Sequence, residues 1–283
     1  MRADFLEAHR AGLTPNPDVL CNREIKFGDC LNHALRLGAE RLATGHYARL
    51  IPGPGGMELH KALDTEKDQS YFLHAVARER FAAALMPLGG LRKPEVRELA
   101  REAGLPVADK RDSTGICFVG ERPFREFLAR YIGHTPGPVR TVGGEQIGTH
   151  VGLPFYTLGQ RGGIGVGGKA GGSGEPWYVV GKDTAHNVLV VAQGEDHPAL
   201  FSTRLTVRQP NWLCSPSELE GGGITVRLRY RQQDQPAQLA QLPDGDICII
   251  PASPQRAVTP GQSAVIYRAS RCLGGGVIIR TGL

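Results

Sequence analysis

The sequence predicts an α/β segment, then a small β-rich part, then a β-barrel, and three observations lead to this prediction. Helical and strand patterns alternate through the first half of the 283 residues. Glycine and proline become frequent near Gly133, where strand-like runs replace helices. Short strands then recur at regular spacing from about Phe201, which is typical of a small barrel. We therefore predict three domains, at residues 1–132, 133–200 and 201–283.

The first part shows clear helix and strand signals. "DFLEAHRAG" predicts a short helix stopped by Gly12, and residues 22–37 predict a second helix with an apolar face. "RLATGHYARLI" predicts a strand with residues 44–46 near its carboxyl end, and "MELHKAL" predicts a strand after a Pro-Gly turn. Further helices are predicted in "SYFLHAVARERFAAAL", "KPEVRELAREAG" and "FREFLARYIG".

The remaining two parts are dominated by strand signals. "RTVGGEQIGTH" and "WYVVGKDTAHNVLVVAQ" predict hairpins on either side of the glycine-rich loop "TLGQRGGIGVGGKAGGSGEP". The barrel strands are predicted in "RLTVRQ", "GITVRLRYRQ", "DICIIPAS", "SAVIYRA" and "GGVIIR". Alternation in "TVRLRYRQ" puts Arg227, Arg229 and Arg231 on one face. That arginine stripe either follows RNA phosphates or is a solvated barrel face.

The amino-acid composition is typical of a soluble globular protein. Hydrophobic residues make up 41% and charged residues 22%, as in ordinary soluble globular proteins. The sequence has no apolar run of membrane-spanning length, and its first residues do not resemble a signal peptide. We therefore expect a cytoplasmic location and no membrane partner. The net charge of +5 permits an anionic partner such as RNA without demanding one.

Six cysteines are spread along the chain without a CxxC pair, which argues against zinc binding and against a disulfide scaffold. Cys21 follows "TPNPDVL" at the predicted start of a helix. The helix dipole and the nearby Arg23 and Lys26 would lower its thiol pKa, and Asp18 is close enough in sequence to exchange a proton. The alternative is a buried structural cysteine.

The other cysteines give weaker signals. Cys117, in "DKRDSTGICFVG", is either a loop thiol activated by basic neighbours or a packed strand residue. Cys30 lies on the apolar face of its predicted helix, and Cys248 and Cys272 lie in barrel strands, so we interpret these three as structural. Cys214 lies in a predicted loop and carries no signal.

Eight stretches, in order, resemble the bacterial tRNA-specific 2-thiouridylase family. They are "TPNPDVLCNREIKF", "ATGHYARL", "KDQSYFL", "DSTGICFVGERPFREFL", "YTLGQRGGIGVGG", "EPWYVVGKD", "RYRQQDQP" and "AVTPGQSAVIY". The resemblance covers essentially the whole chain. It implies a fold made of the remainder of an adenine-nucleotide α-hydrolase-like PP-loop domain, a central β-rich tRNA-binding domain and a carboxyl-terminal β-barrel.

The resemblance also implies an activity. ATP, together with Mg²⁺, adenylates the C2 oxygen of the wobble uridine in the tRNAs for lysine, glutamate and glutamine. Persulfide sulfur, which a sulfur-donor protein supplies, then replaces that oxygen. Cys117 matches the cysteine that carries the persulfide, and Cys21 matches a second cysteine that ends in a disulfide with it. Asp18 matches a general acid/base.

Binding residues follow from the same resemblance. It implies that Gly45 contacts ATP, and that Asn16, Pro17 and Asp18 contact the target base. The residues implied to contact the tRNA elsewhere are His46, Lys67, Asp68, Gln69, Arg229, Tyr230 and Gln262. Local patterns give plainer interpretations of two of these stretches. Residues 44–46 lie where α/β folds bind ligands, and "KDQS" predicts a helix start capped by Asp68 or Ser70.

One feature of the family is missing from the sequence. The Ser-Gly-Gly-x-Asp-Ser loop that cradles ATP phosphates does not occur in it, and its first residues already resemble the helix before the "TPNPD" segment. We therefore expect that the family's amino-terminal segment is absent, through truncation, a gene-model error or a split gene. Two alternatives to an active thiouridylase follow. One is a non-catalytic tRNA-binding protein, and the other is a different PP-loop enzyme that adenylates a small molecule.

Overall fold

The computed structural model describes residues 2–110, 124–166 and 174–282. The helices are α1 (Arg2–Arg10), α2 (Pro17–Leu20), a π-helix (Cys21–Cys30), α3 (Leu31–Arg36), α4 (Lys93–Glu102) and α5 (Phe124–Ala129). Strands in the first part are β1 (Leu42–Ala43), β2 (Ala48–Gly53), β3 (Gly56–Lys61) and β4 (Ala84–Leu85). Strands in the middle part are β5 (Gly137–Thr141), β6 (Gln146–His150), β7 (Trp177–Asp183) and β8 (Val188–Gln193).

The last part contains strands β9 (Phe201–Ser202), β10 (Arg204–Trp212), β11 (Ile224–Arg227), β12 (Gln235–Gln241), β13 (Ile247–Pro251), β14 (Gln255–Arg256), β15 (Ser263–Arg268) and β16 (Arg271–Gly282). Six of them follow the order β10-β13-β12-β11-β15-β16, and β16 pairs again with β10, so the sheet closes into a barrel. Closure leaves no unpaired edge among these strands. The predicted β-barrel is confirmed, and β12 is a strand that the sequence analysis missed.

The barrel sheet continues into the first part of the chain. Strand β16 pairs with β3 where Arg271 lies opposite His60, and β3 pairs along its length with β2. A shared core accompanies this pairing, since Phe27 and Tyr71 of the first part pack in one cluster with Tyr267 and Cys272 of the barrel. The first part and the barrel therefore form a continuous packed unit.

The middle part is a four-stranded sheet of order β6-β5-β8-β7. Both predicted hairpins are present as antiparallel pairs, and β5 pairs in parallel with β8. Val139, Val179, Leu189 and Val191 are fully buried between this sheet and the turns that follow β6. The first part contributes one parallel pair, β1 with β4, so the predicted α/β class is confirmed. The predicted domain boundaries stay a prediction.

Three predictions about the first part are wrong. The stretch "RLATGHYARLI" does not form one strand, because β1 and β2 are separated by the loop at residues 44–47 and lie in different sheets. Residues 70–85 do not form one helix but two 3₁₀ helices, Ser70–Leu73 and Arg78–Ala83, joined through an extended Ala77. The break lets Tyr71 bury its ring and donate its hydroxyl to the Ser263 carbonyl at 2.9 Å, while Phe81 enters the same core.

The third error concerns Cys30, which is exposed rather than structural. Residues Cys21–Cys30 form a π-helix, whose wider turn shifts the apolar face away from Cys30 while Phe27 remains fully buried. The assignment of Cys248 and Cys272 as buried barrel residues is confirmed. Within the part of the chain that the structure describes, we find no helix both long and apolar enough to span a bilayer.

Candidate functional site

Residues 16–21 form a rigid turn into a helix. Asn16 caps α2, because its Oδ1 accepts hydrogen bonds from the main-chain N–H groups of Asp18 at 3.1 Å and Val19 at 3.4 Å. Pro17 occupies the first helical position, where its missing N–H costs nothing. Cys21 is partly buried at the junction of α2 and the π-helix. The cap therefore fixes Asp18 and Cys21 relative to each other.

A small polar cluster lies beside this turn. Burial raises the pKa of Asp18, and the positive charge of Lys26 opposes that rise. The Lys26 ammonium is 3.5 Å from His46 Nε2, and His46 Nδ1 is 2.9 Å from Thr44 Oγ1. Burial and then Lys26 lower the pKa of His46 to about 4, so its ring is neutral at pH 7. Lysine only donates, so Nε2 accepts and Nδ1–H donates to Thr44.

The turn at residues 67–69 supports the same region from a second element. Gln69 and Tyr47 bond reciprocally, with Tyr47 N–H donating to Gln69 Oε1 at 3.0 Å and Gln69 N–H donating to the Tyr47 carbonyl at 2.7 Å. Asp68 is 2% exposed and accepts hydrogen bonds from the main-chain N–H groups of Ala62 and Ser70. Neither Asp68 nor Ser70 occupies the cap position as predicted, because that position is Gln69, which has no side-chain capping bond. The Asp68 carboxylate instead lies beneath the surface and accepts from the Ser70 N–H.

Gly45 is an exposed residue in the loop after β1, at the carboxyl end of the parallel pair. A Cβ there would meet Leu88 Cδ1 at 3.9 Å, which is an ordinary contact, so the loop is open on that side. This is the edge of an α/β sheet where nucleotides bind.

Arg229 and Tyr230 lie just beyond β11. The Arg229 guanidinium donates to the carbonyls of Arg256 at 3.1 Å and Ala257 at 2.6 Å. The Tyr230 ring packs on Phe72, with ring centroids 4.6 Å apart, and the Phe72 carbonyl accepts a hydrogen bond from Asn22 of the π-helix. The barrel residues are thus joined to the helix that begins at Cys21.

Two clefts flank Arg229, and Arg256 lines both. One, of about 480 Å³, contains residues 228–232. The other, of about 470 Å³, also contains Gln262 and residues 157–160 of the middle part. Partial burial and the neighbouring Arg256 lower the pKa of Arg229. Two guanidinium groups that share a cleft favour an anionic ligand.

Comparison with known proteins gives a consistent result along the chain. Three family models match: the tRNA methyl transferase HUP domain at residues 1–121, the tRNA methyl transferase PRC-barrel domain at 125–193, and the aminomethyltransferase beta-barrel domain at 202–278. The tRNA-specific 2-thiouridylase MnmA of Ralstonia pickettii is 52% identical over 276 residues, covering 98% of this chain and 75% of the relative.

Two further relatives carry the same name. The protein of Cupriavidus pinatubonensis is 54% identical over 278 residues, 98% of this chain and 76% of the relative. That of Paracidovorax citrulli is 53% identical over 289 residues, 99% of this chain and 76% of the relative. The chain belongs to the tRNA-specific 2-thiouridylase family. The resemblance of the eight sequence stretches is confirmed.

One prediction about the site of this 2-thiouridylase family member is wrong. Arg227, Arg229 and Arg231 do not form an arginine stripe on one strand face. Strand β11 ends at Arg227, whose guanidinium turns inward to Asp68 at 2.8 Å and to Asp234 at 2.6 Å. Arg231 has a φ of 66°, so strand alternation does not continue to it. Two buried or half-buried carboxylates within reach explain why Arg227 leaves the surface.

The structure brings some of the predicted residues of this family member close to one another, in two groups. His46 lies next to Lys26, which follows Asp18 by two helical turns, and Arg229 shares a cleft with Gln262. Cys117 lies outside the described residues, so its pairing with Cys21 stays a prediction. Sequence reasoning missed Arg256 because "PQRAV" has no strand alternation, and it assigned Lys26 only to the thiol of Cys21.

Proposed function

We propose that this protein replaces the C2 oxygen of the wobble uridine with sulfur in the tRNAs for lysine, glutamate and glutamine. The observation that carries the proposal is identity of 52–54% to tRNA-specific 2-thiouridylases over at least 98% of the chain. The capped turn that holds Asn16, Asp18 and Cys21 supports it, because sulfur transfer needs a thiol, a proton carrier and a fixed base in one place.

ATP is proposed as the co-substrate, together with Mg²⁺, and it would convert the C2 oxygen into a good leaving group by adenylation. The open loop at Gly45, on the carboxyl edge of β1, supports a nucleotide contact there. The sequence contains no Ser-Gly-Gly-x-Asp-Ser segment to cradle the phosphates, so we assign no step of the chemistry to residues around bound ATP.

Sulfur transfer is proposed to use two cysteines. A sulfur-donor protein loads Cys117 as a persulfide, and the terminal sulfur forms a bond to C2 as the activated oxygen leaves. The Cys21 thiolate then attacks Sγ of Cys117, the S–S bond of the persulfide breaks, and its electron pair stays on the sulfur now attached to C2. The products are 2-thiouridine and a Cys21–Cys117 disulfide, which a reductant must open before the next turnover.

Asp18 is proposed to hold and release the proton in this chemistry. Burial raises its pKa, which brings a carboxyl group closer to the working pH of a general acid/base. Lys26 and the neutral His46 lie beside the same turn, so a base placed at this turn would meet one ammonium and one carboxyl group. Asn16 and Pro17 present the turn to the flipped uracil.

The tRNA is proposed to contact His46, the turn at residues 67–69, Arg229, Tyr230 and Gln262. Arg229 and Tyr230 support this through the cleft that they line with Arg256. Asp68 is buried, so we propose that it holds the turn while Lys67 lies nearer the surface. The division into domains at residues 1–132, 133–200 and 201–283 and a cytoplasmic location are proposed with this function.

The test is complementation of a bacterium that lacks its own tRNA 2-thiouridylase. The protein that contains this chain is expressed there, the three tRNAs are purified, and their nucleosides are analysed by mass spectrometry. We expect 2-thiouridine in all three tRNAs and none with an empty vector. Tight binding of these tRNAs without 2-thiouridine would contradict the proposal and support the non-catalytic tRNA-binding alternative.

A further inference from the structure

The barrel holds the segment just before Asn16 by direct hydrogen bonds. Thr14 N–H donates to the Pro260 carbonyl at 3.0 Å. In return, Gln262 Nε2 donates to the Thr14 carbonyl at 2.6 Å. The N–H and carbonyl groups of Thr14 are therefore both hydrogen-bonded to the loop of residues 259–262. Gln262 in this loop is 248 residues from Thr14 in the sequence.

The two segments also touch through their backbones at Gly261. This glycine has a φ of 94°, and a Cβ placed on it would lie 2.6 Å from Thr14 N and 2.9 Å from the Thr14 carbonyl carbon. Contacts this short leave no room for any side chain. On the other side, Lys182 of β7 donates to the Gly12 carbonyl at 3.1 Å. The segment is thus held by both the barrel and the middle sheet.

The constraint on Thr14 reaches the proposed base-binding residues because the intervening chain is stiff. Only Pro15 separates Thr14 from Asn16, and Pro17 follows, so two proline rings fix their φ angles. The Asn16 cap then fixes the start of α2. A displacement of Thr14 would therefore move Asn16 and Asp18 with it.

We propose that Gln262 is a positioning residue, which fixes the segment of residues 12–18 against the barrel so that Asn16 and Asp18 meet the target uracil. The inference rests on the proposed function and adds a supporting role to the tRNA contact that is proposed for Gln262. It also links RNA binding to catalysis, since Gln262 lines the cleft that contains Arg229 and Arg256.

The test uses Gln262→Glu, which keeps the shape of the side chain but replaces the N–H donor with an oxygen that repels the Thr14 carbonyl. The matched control is Gln238→Glu on an exposed position of β12. Hydrogen exchange is measured over residues 12–22, together with the Kd for tRNA and the single-turnover thiolation rate at saturating tRNA.

We expect faster exchange in residues 12–22 and a thiolation rate at least about tenfold lower, because small misplacements at a reacting centre cost this much. A weaker Kd for tRNA does not affect this comparison, because the rate is measured at saturating tRNA. Gln238→Glu should match the unmodified protein in all three measurements. Unchanged exchange together with an unchanged saturated rate, whatever the Kd, would show that Gln262 does not position residues 12–18 and would overturn the inference.

Gly261→Ala provides an independent variant, since its Cβ would push Thr14 without altering charge. It should accelerate the same exchange and lower the same rate, and unchanged exchange in residues 12–22 would overturn the inference. Failure of the proposed function gives a different result. In that case the unmodified protein forms no 2-thiouridine, while both variants still loosen residues 12–22.

Discussion

Arg227 of the barrel donates to the buried carboxylate of Asp68 at 2.8 Å and so ties β11 to the turn at residues 67–69. Asp68 holds two main-chain N–H groups at the same time, and Arg227 also pairs with Asp234. Lys61 completes the network by donating to Asp234. The surface proposed to bind tRNA therefore rests on a charged network that joins the first part of the chain to the barrel.

Asp68→Ala should destabilise the protein strongly. The change leaves the buried Arg227 with one carboxylate instead of two and orphans the N–H groups of Ala62 and Ser70. We expect a loss of about 3 kcal/mol in the free energy of unfolding, measured by urea denaturation. The matched change Asp109→Ala removes an exposed partner of Arg101 and should leave the midpoint unchanged. Equal effects of the two substitutions would show that the network does not support the fold.

Stability should fall with acid because several histidines are buried in the neutral form. Burial lowers the pKa of His74 to about 4, and its Nδ1 is hydrogen-bonded to the Tyr71 carbonyl at 2.8 Å; the charge of Arg23 lowers the pKa further. The pKa in the unfolded chain is near 6.5, so the unfolded state binds the proton first. The stabilisation is complete above pH 6.5 and is lost as the pH falls toward 4.

The pH effect can be measured by urea denaturation at about pH 7.5 and about pH 4.5. A histidine whose pKa falls from 6.5 to about 4 on folding contributes about 3 kcal/mol to the free energy of unfolding at pH 7.5, and most of this is lost at pH 4.5. His74→Gln should reduce the difference between the free energies of unfolding at the two pH values, whereas His186→Gln, at an exposed position, should leave that difference unchanged. An identical pH dependence in both variants would contradict the burial account of His74.

Arg229→Ala should weaken tRNA binding without lowering the thiolation rate at saturating tRNA. A guanidinium that contacts a phosphate contributes to affinity and to its salt dependence. We therefore expect the slope of log K against log salt to fall by about 1 in filter-binding titrations. Arg280→Ala, at an exposed position of β16, is the matched control and should keep the full slope. An unchanged slope for Arg229→Ala would remove Arg229 from the interface.

Asp18→Asn should slow the chemistry while leaving tRNA binding intact. An amide keeps the shape of the side chain but cannot carry the proton. We therefore expect the thiolation rate to fall by at least about 10²-fold. The pH–rate profile should also lose the limb that reports a carboxyl group with a raised pKa. Retention of both the rate and that limb would show that Asp18 does not transfer the proton.

Local sequence patterns predicted the elements whose conformation is decided by residues close together in the sequence. The barrel and both middle hairpins follow from period-2 alternation, and the helix near Cys21 follows from its apolar spacing, whereas the cap by Asn16 was not predicted. Cys30 was misassigned because a π-helix does not keep the 3.6-residue period on which the apolar face was read.

Errors at the site arose where distant residues decide the local conformation. Strand alternation cannot reveal that Arg227 turns toward Asp68, which lies 159 residues away in the chain. In the same way, Tyr71 breaks a helical pattern because its hydroxyl reaches the carbonyl of Ser263. The bond between Gln262 and Thr14 also joins segments that carry no mutual signal in a single sequence.

The central claim is that two cysteines deliver sulfur to the wobble uridine, and cysteine substitution tests it most directly. The unmodified protein, Cys117→Ser, Cys21→Ser and the exposed control Cys30→Ser are compared by mass spectrometry of 2-thiouridine in the tRNAs for lysine, glutamate and glutamine. We predict normal 2-thiouridine with Cys30→Ser and a loss of multiple-turnover thiolation with each of the other two. Normal thiolation by Cys117→Ser would contradict the account.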